Sequence, residues 1–275
     1  MADAAMPPAP ADDAAPLQAG APAPERGDAG LDDAGADVPA TCEPARSAGK
    51  LLVVFDRSES MEAPWVDSRL KRVVAVELLS QLLTTVRVPV SVAGQFFPSR
   101  DPNACICDVA NPDHWIPGPG GCCLNGTTEL CDVNPIEAAD QIGFVSADEF
   151  LKQLPARASE FASDSQTSGT PIVAALTRAD EALAEIPMAE RWAVLLVTDA
   201  NPTCNGVITD ALTRLASWQA AGVPTLVVSF ATDTVSTDTA KQLAAISGNR
   251  APFDPTDVAA LRAELAKIVA SAACR

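Results

Sequence analysis

Five oxygen-bearing side chains in three short motifs are the residues of this chain best suited to chemistry. Asp56, Ser58 and Ser60 lie in the run D-R-S-E-S, Thr170 in S-G-T-P, and Asp199 in V-T-D. Two carboxylates and three hydroxyls form a hard, all-oxygen donor set, which suits Mg2+ and not Zn2+, a metal that prefers His and Cys. Ca2+ and Mn2+ are the alternative metals. The set holds too few anionic oxygens to satisfy a divalent cation alone, so water or a partner's carboxylate must complete an octahedron with bonds of about 2.1 Å. Two of these residues also have a plainer local reading. Asp56 could cap a helix, and Thr170 could be the N-cap of a helix with Pro171 at its first position.

The elements around these motifs predict that they converge. Leu51 to Phe55 is a continuous apolar run ending at Asp56, as expected of a parallel strand buried on both faces. Ala193 to Thr198 is a second such run, ending at Asp199. In open α/β sheets, sites form at the carboxyl ends of strands where the strand order reverses, so pairing of these two strands would bring both carboxylates to one crevice. Further strands are predicted at Val90 to Phe97, Thr225 to Phe230 and Ala251 to Phe253. Leu70, Val73, Val74, Leu78, Leu82 and Leu83 line one face of a helix. Other helices are expected near Ala147 to Leu154, Pro171 to Ala184, Thr209 to Gln219, Thr239 to Ile246 and Asp257 to Ala270. This alternation predicts an α/β fold with a doubly wound, mostly parallel sheet flanked by helices.

The three motifs, in this order and at these element ends, resemble the metal-ion-dependent adhesion site (MIDAS) of von Willebrand factor type A (vWA) domains, over residues 48 to 274. The resemblance implies a six-stranded Rossmann-like sheet. It implies Ser58, Ser60 and Thr170 as direct metal ligands, with Asp56 and Asp199 acting mainly through bound waters. It also implies a non-enzymatic adhesion or interaction module, in which an Asp or Glu carboxylate of a protein partner completes the Mg2+ shell. Two residues depart from the family pattern: Glu59 stands where Gly is usual, and Ala200 where Gly often follows the Asp. Glu59 could raise metal affinity, crowd the ligand or point to solvent.

Two other functions fit parts of the pattern. A Mg2+-dependent phosphoryl-transfer enzyme would use Asp56 as a strand-end nucleophile. Such enzymes usually carry D-x-D, whereas Ser58 occupies the second position, no Lys stands at an obvious strand end, and the only His, His114, lies in the Cys-rich insertion. An accessory subunit with a metal site used only for folding is the third reading.

Composition narrows the context. The chain has 275 residues, a net charge of -17, 4% aromatics and no Tyr. The charge argues against nucleic acid and anionic lipid, which are bound largely through Lys and Arg. No apolar run approaches the roughly 20 residues of a membrane span. Residues 1–41, rich in Ala, Pro and Asp, are expected to be a disordered acidic tether. Residues 42–275 form the predicted domain, with a disulfide-rich insertion at about 98–145. Eight cysteines imply an oxidising compartment, hence a secreted, periplasmic or cell-surface protein. No apolar core of a signal peptide follows Met1, so the sequence reads as a mature form with an added Met.

Cys42 and Cys274 flank the predicted domain, and a bridge between them would close its ends, as in some vWA relatives. Cys105, Cys107, Cys122, Cys123 and Cys131 lie in the insertion, and Cys204 follows Asp199. Their spacing leaves connectivity open, but a bridge from Cys204 to the insertion would staple it beside the crevice. A zinc site using Cys105, Cys107, His114 and a later Cys is the alternative, without the paired C-x-x-C spacing such sites usually have. Trp115 beside His114 reads either as a contact residue or, more plainly, as a plug over the insertion's small core.

Overall fold

The apolar run after residue 50 becomes the middle strand of a five-stranded sheet in the computed structural model. The structure describes residues 49–65, 68–85, 89–99, 131, 133–160, 169–199, 202, 204, 207–249 and 251–273, all within the unit Thr41–Arg275. The expected tether at 1–41 lies outside these residues, as do most of the insertion and Cys42, Cys105, Cys107, Cys122, Cys123 and Cys274.

The strands are β1 (Gly49–Asp56), β2 (Val90–Phe97), β3 (Ile142–Ser146), β4 (Arg191–Thr198) and β5 (Thr225–Ser229). Their order is β3-β2-β1-β4-β5. All pairings are parallel except β2 with β3. The helices are α1 (Lys71–Thr84), α2 (Ala147–Ala158), α3 (Ile172–Ala184), α4 (Ile208–Ala220), α5 (Thr234–Ile246) and α6 (Val258–Ala273). This is the doubly wound α/β fold expected from the alternation of strands and helices.

Side chains alternate across a strand, so β1 serves two cores at once. Leu51, Val53 and Phe55 pack with residues of α1, α2 and α6, while Leu52 and Val54 pack with residues of α3, α4 and α5. All five are essentially inaccessible to water, and each such side chain contributes about 1.5–3 kcal/mol by leaving water. That burial makes the end of β1 a rigid platform.

Three expectations change. Among the described residues the sheet has five strands, not six, and the segment near Ala251 to Phe253 makes only an isolated parallel bridge, Phe253 with Val228. Strand β3 was not anticipated and overlaps the end of the stretch assigned to the insertion. It is a short edge strand containing Gly143, with one of its five residues buried, so it shows no apolar run. Helix α5 begins five residues before Thr239, capped by Asp233, whose carboxylate accepts from Ser236 N.

Candidate metal centre

The register of β1 with β4 sets the geometry. Phe55 pairs with Val197, so Asp56 and Thr198 are the next residues level with each other, and both project to the α3 side of the sheet. Thr198 Oγ1 donates to Asp56 Oδ2 at 2.6 Å. Ser58 N donates to Asp56 Oδ1 at 2.9 Å. Asp56 therefore turns the chain directly after β1 and does not cap an α-helix. Thr198 was not among the expected site residues, because its role depends on a strand register that local pattern does not reveal.

Beyond Asp56 the chain forms a 3-10 turn, Glu59–Glu62, with Ser58 at its N-cap. Met61 is fully buried beneath the turn, and Met61 N donates to Ser58 O at 3.0 Å. The turn holds Ser58 Oγ and Ser60 Oγ 3.0 Å apart. Adjacent ligands of an octahedron with 2.1 Å bonds are also separated by about 3.0 Å, so this pair fits two neighbouring positions around Mg2+. Glu59 is exposed, which favours the solvent-facing reading of this departure from the family pattern. Ala200 lies outside the described residues.

Thr170 reaches the same edge from α3. That helix connects to the parallel strand β4 and packs against β1 and β2, so it starts at the carboxyl edge of the sheet and runs back across it. The expected capping arrangement is shifted by one residue: Pro171 is the N-cap, Ile172 the first helical residue, and no side chain caps the helix. Thr170 is 2% exposed.

Asp199 follows β4 and is equally buried. Its Oδ2 accepts from Lys71 Nζ at 2.9 Å, while its Oδ1 is buried without a hydrogen-bond partner. An orphaned carboxylate oxygen is costly in a protein interior and is a donor atom suited to a hard cation. Lys71 corrects the expectation that no lysine serves a strand end. It opens α1, after a loop that folds back on itself through Lys71 N to Ala63 O at 3.1 Å and the Pro64–Leu70 bridge.

The two carboxylates share one field. Burial, and then the charge of Asp199, push the Asp56 carboxyl up to about 7, against the opposing hydrogen bonds from Ser58 and Thr198. Burial and the neighbouring carboxylate thus both disfavour ionisation of Asp56 in the absence of a cation. Among the described residues no group of three or more His, Cys, Asp or Glu could hold a metal, so a metal at this centre would depend on the hydroxyls.

Arg57, inside the same motif, points elsewhere and has a separate task. Its Nε donates to Pro98 O at 2.8 Å, and its Nη1 to Arg157 O at 3.1 Å. Its guanidinium also pairs with Asp140 at 2.7 Å and Glu160 at 2.8 Å. Together with Arg57 N donating to Phe97 O at 2.7 Å, these bonds tie the loop after β1 to the end of β2 and the end of α2. The sequence reading assigned no role to this residue.

Cys131 and Cys204 form a disulfide across 73 residues, which joins the end of the insertion to the loop after Asp199. Both are thereby removed from the alternative zinc site, whose Cys105, Cys107 and His114 lie outside the described residues. A Cys131→Ser/Cys204→Ser variant should lose up to about 4 kcal/mol by the chain-entropy argument for a loop of this length. Its urea midpoint measures the loss, and an unchanged midpoint would mean that the bridge does not constrain the unfolded chain.

No protein-family model matches the chain, and no curated protein matches it in sequence. Solved structures do match in fold. An aerotolerance-related membrane protein from Bacteroides fragilis aligns over 82% of this chain and 100% of its own, at 13% identity and a TM-score of 0.50. The pilus adhesin SpaC from Lactobacillus rhamnosus GG aligns over 84% of this chain at 11% identity and a TM-score of 0.54. This chain spans 31% of that adhesin. The VWA domain of SpRpn10 aligns over 80% of this chain and 94% of its own, at 9% identity and a TM-score of 0.45. The likeness is one of fold. Among the described residues no helix is long and apolar enough to cross a membrane.

Proposed function

We propose that this chain is a metal-dependent protein-binding module of the vWA type. In this reading Asp56, Ser58, Ser60, Thr170 and Asp199 form a MIDAS-type centre for Mg2+, and the ion recruits an Asp or Glu carboxylate of a protein partner. The hydroxyls of Ser58, Ser60 and Thr170 would hold the ion, with Asp56 and Asp199 balancing its charge. The ion would supply the local positive field that a chain of net charge -17 otherwise lacks for an acidic ligand.

The observation that carries the reading is the buried, unpartnered Oδ1 of Asp199 beside a second buried carboxylate. The 3.0 Å spacing of the two serine hydroxyls supports it, and so does a fold shared with a pilus adhesin. The cysteine content and the Cys131–Cys204 bridge support a reading of secretion or surface display.

The phosphoryl-transfer reading gains a cationic group in Lys71 but is weakened at its nucleophile. Asp56 is fully buried, and both of its oxygens already accept hydrogen bonds. We therefore read the chain as a binding protein and not as an enzyme.

Calorimetric titration with Mn2+ should show one site in the native protein and none in Thr170→Ala, with unchanged circular dichroism. The immobilised native domain should capture surface proteins in Mg2+ but not in chelator. Equal capture in both conditions, or capture by Thr170→Ala, would falsify the proposal.

A further inference from the structure

Lys71 is the most buried lysine of the chain. The chain has five lysines, and the other four, Lys50, Lys152, Lys241 and Lys267, have side chains 28–73% exposed in surface ion pairs. The Lys71 side chain is 5% exposed, and its partner Asp199 is 3% exposed. Burying an ammonium costs several kcal/mol unless a close anion offsets it. Lys71 is also the first residue of α1, where the positive end of the helix dipole disfavours a cation. Two unfavourable terms thus act on a side chain that still turns inward to one carboxylate oxygen.

We propose that Lys71 is a resident counter-ion of the Asp199 carboxylate, a positioning residue that keeps the divalent-metal affinity of this centre low. The inference rests on the metal-centre reading above. Lys71 occupies Oδ2 of Asp199 and leaves Oδ1 open, so the carboxylate is held in place before any metal arrives. A divalent cation entering beside it meets a positive charge across the same carboxylate, and in a buried setting that repulsion is large. Such a centre would load only where divalent metal is plentiful, and the fold would tolerate its absence because one positive charge is built in.

The test is calorimetric titration of Mn2+ into the full chain, with thermal melts in chelator and in Mn2+. The proteins compared are the native chain, Lys71→Met, Lys71→Gln and Lys71→Arg. The two neutral variants should bind Mn2+ at least about tenfold more tightly, because one close positive charge is gone. They should melt at lower temperature in chelator and gain more on adding Mn2+. Lys71→Arg should behave like the native chain. A role confined to packing would not tighten metal binding. If Lys71→Met does not fold, Lys71→Gln decides, since it keeps a donor for Asp199 without the charge. Native-like or weaker affinity in the neutral variants overturns the role of Lys71 and leaves the metal centre standing. No Mn2+ response in any of the four proteins overturns both.

Discussion

Arg57→Met should destabilise the folded protein by about 3–5 kcal/mol, the cost of removing one partner from a buried ion pair. The Arg57 side chain is inaccessible to water and Asp140 is 8% exposed, so the aspartate would be left buried without its cation. The backbone oxygens of Pro98 and Arg157 would lose a donor at the same time. Urea denaturation gives the loss directly. Arg57→Met/Asp140→Asn should recover part of it, because the neutral amide no longer needs the guanidinium. A loss below about 1 kcal/mol, in the range of exposed pairs, would show that this network does not hold the loop after β1.

The second large effect concerns Asp56 and separates charge from shape. In the unfolded chain this carboxyl ionises near its ordinary value of 3.8, while in the fold burial and Asp199 hold the proton to about 7. A raised folded value stabilises fully below the unfolded value, and that stability is lost as pH climbs to the folded one. In chelator the native protein should therefore weaken between about pH 4 and 7, by an amount on the order of 4 kcal/mol. Asp56→Asn, which cannot ionise, should lack this component. The difference between the two pH curves isolates it from the general effect of an acidic chain. At pH 8 in chelator the variant should be the more stable protein. Added Mg2+ should raise the melting temperature of the native chain only, since a ligand stabilises the state that binds it. Parallel curves for the two proteins from pH 4 to 8 would remove the electrostatic basis of the proposed centre.

Part of this centre was legible in the chain. A parallel strand buried on both faces reads as an unbroken apolar run, so the ends of β1 and β4, and with them Asp56 and Asp199, could be located by inspection. The hydroxyls of Ser58 and Ser60 followed from their spacing behind that end, and Thr170 from a proline that opens a helix. The capping geometry at Thr170 was displaced by one residue, a shift typical of helix ends. Strand β3 escaped notice because it lies at an edge, is partly exposed and includes Gly143. The side-chain amide of Gln141 bonds both backbone groups of Phe96 just past it, where the β2–β3 ladder has ended.

The sequence alone determined the alternation of buried strands and amphipathic helices, and the acidic and hydroxyl side chains at the strand ends, because periodicity and burial act within a few residues. Tertiary structure alone decided that Thr198 bonds Asp56, that Lys71 reaches Asp199 across 128 positions, that Arg57 binds Asp140, and that Cys204 takes Cys131. These pairings depend on strand register and on where each crossover returns the chain. Such contacts are set by the packing of the whole sheet, and no local stretch of residues encodes them.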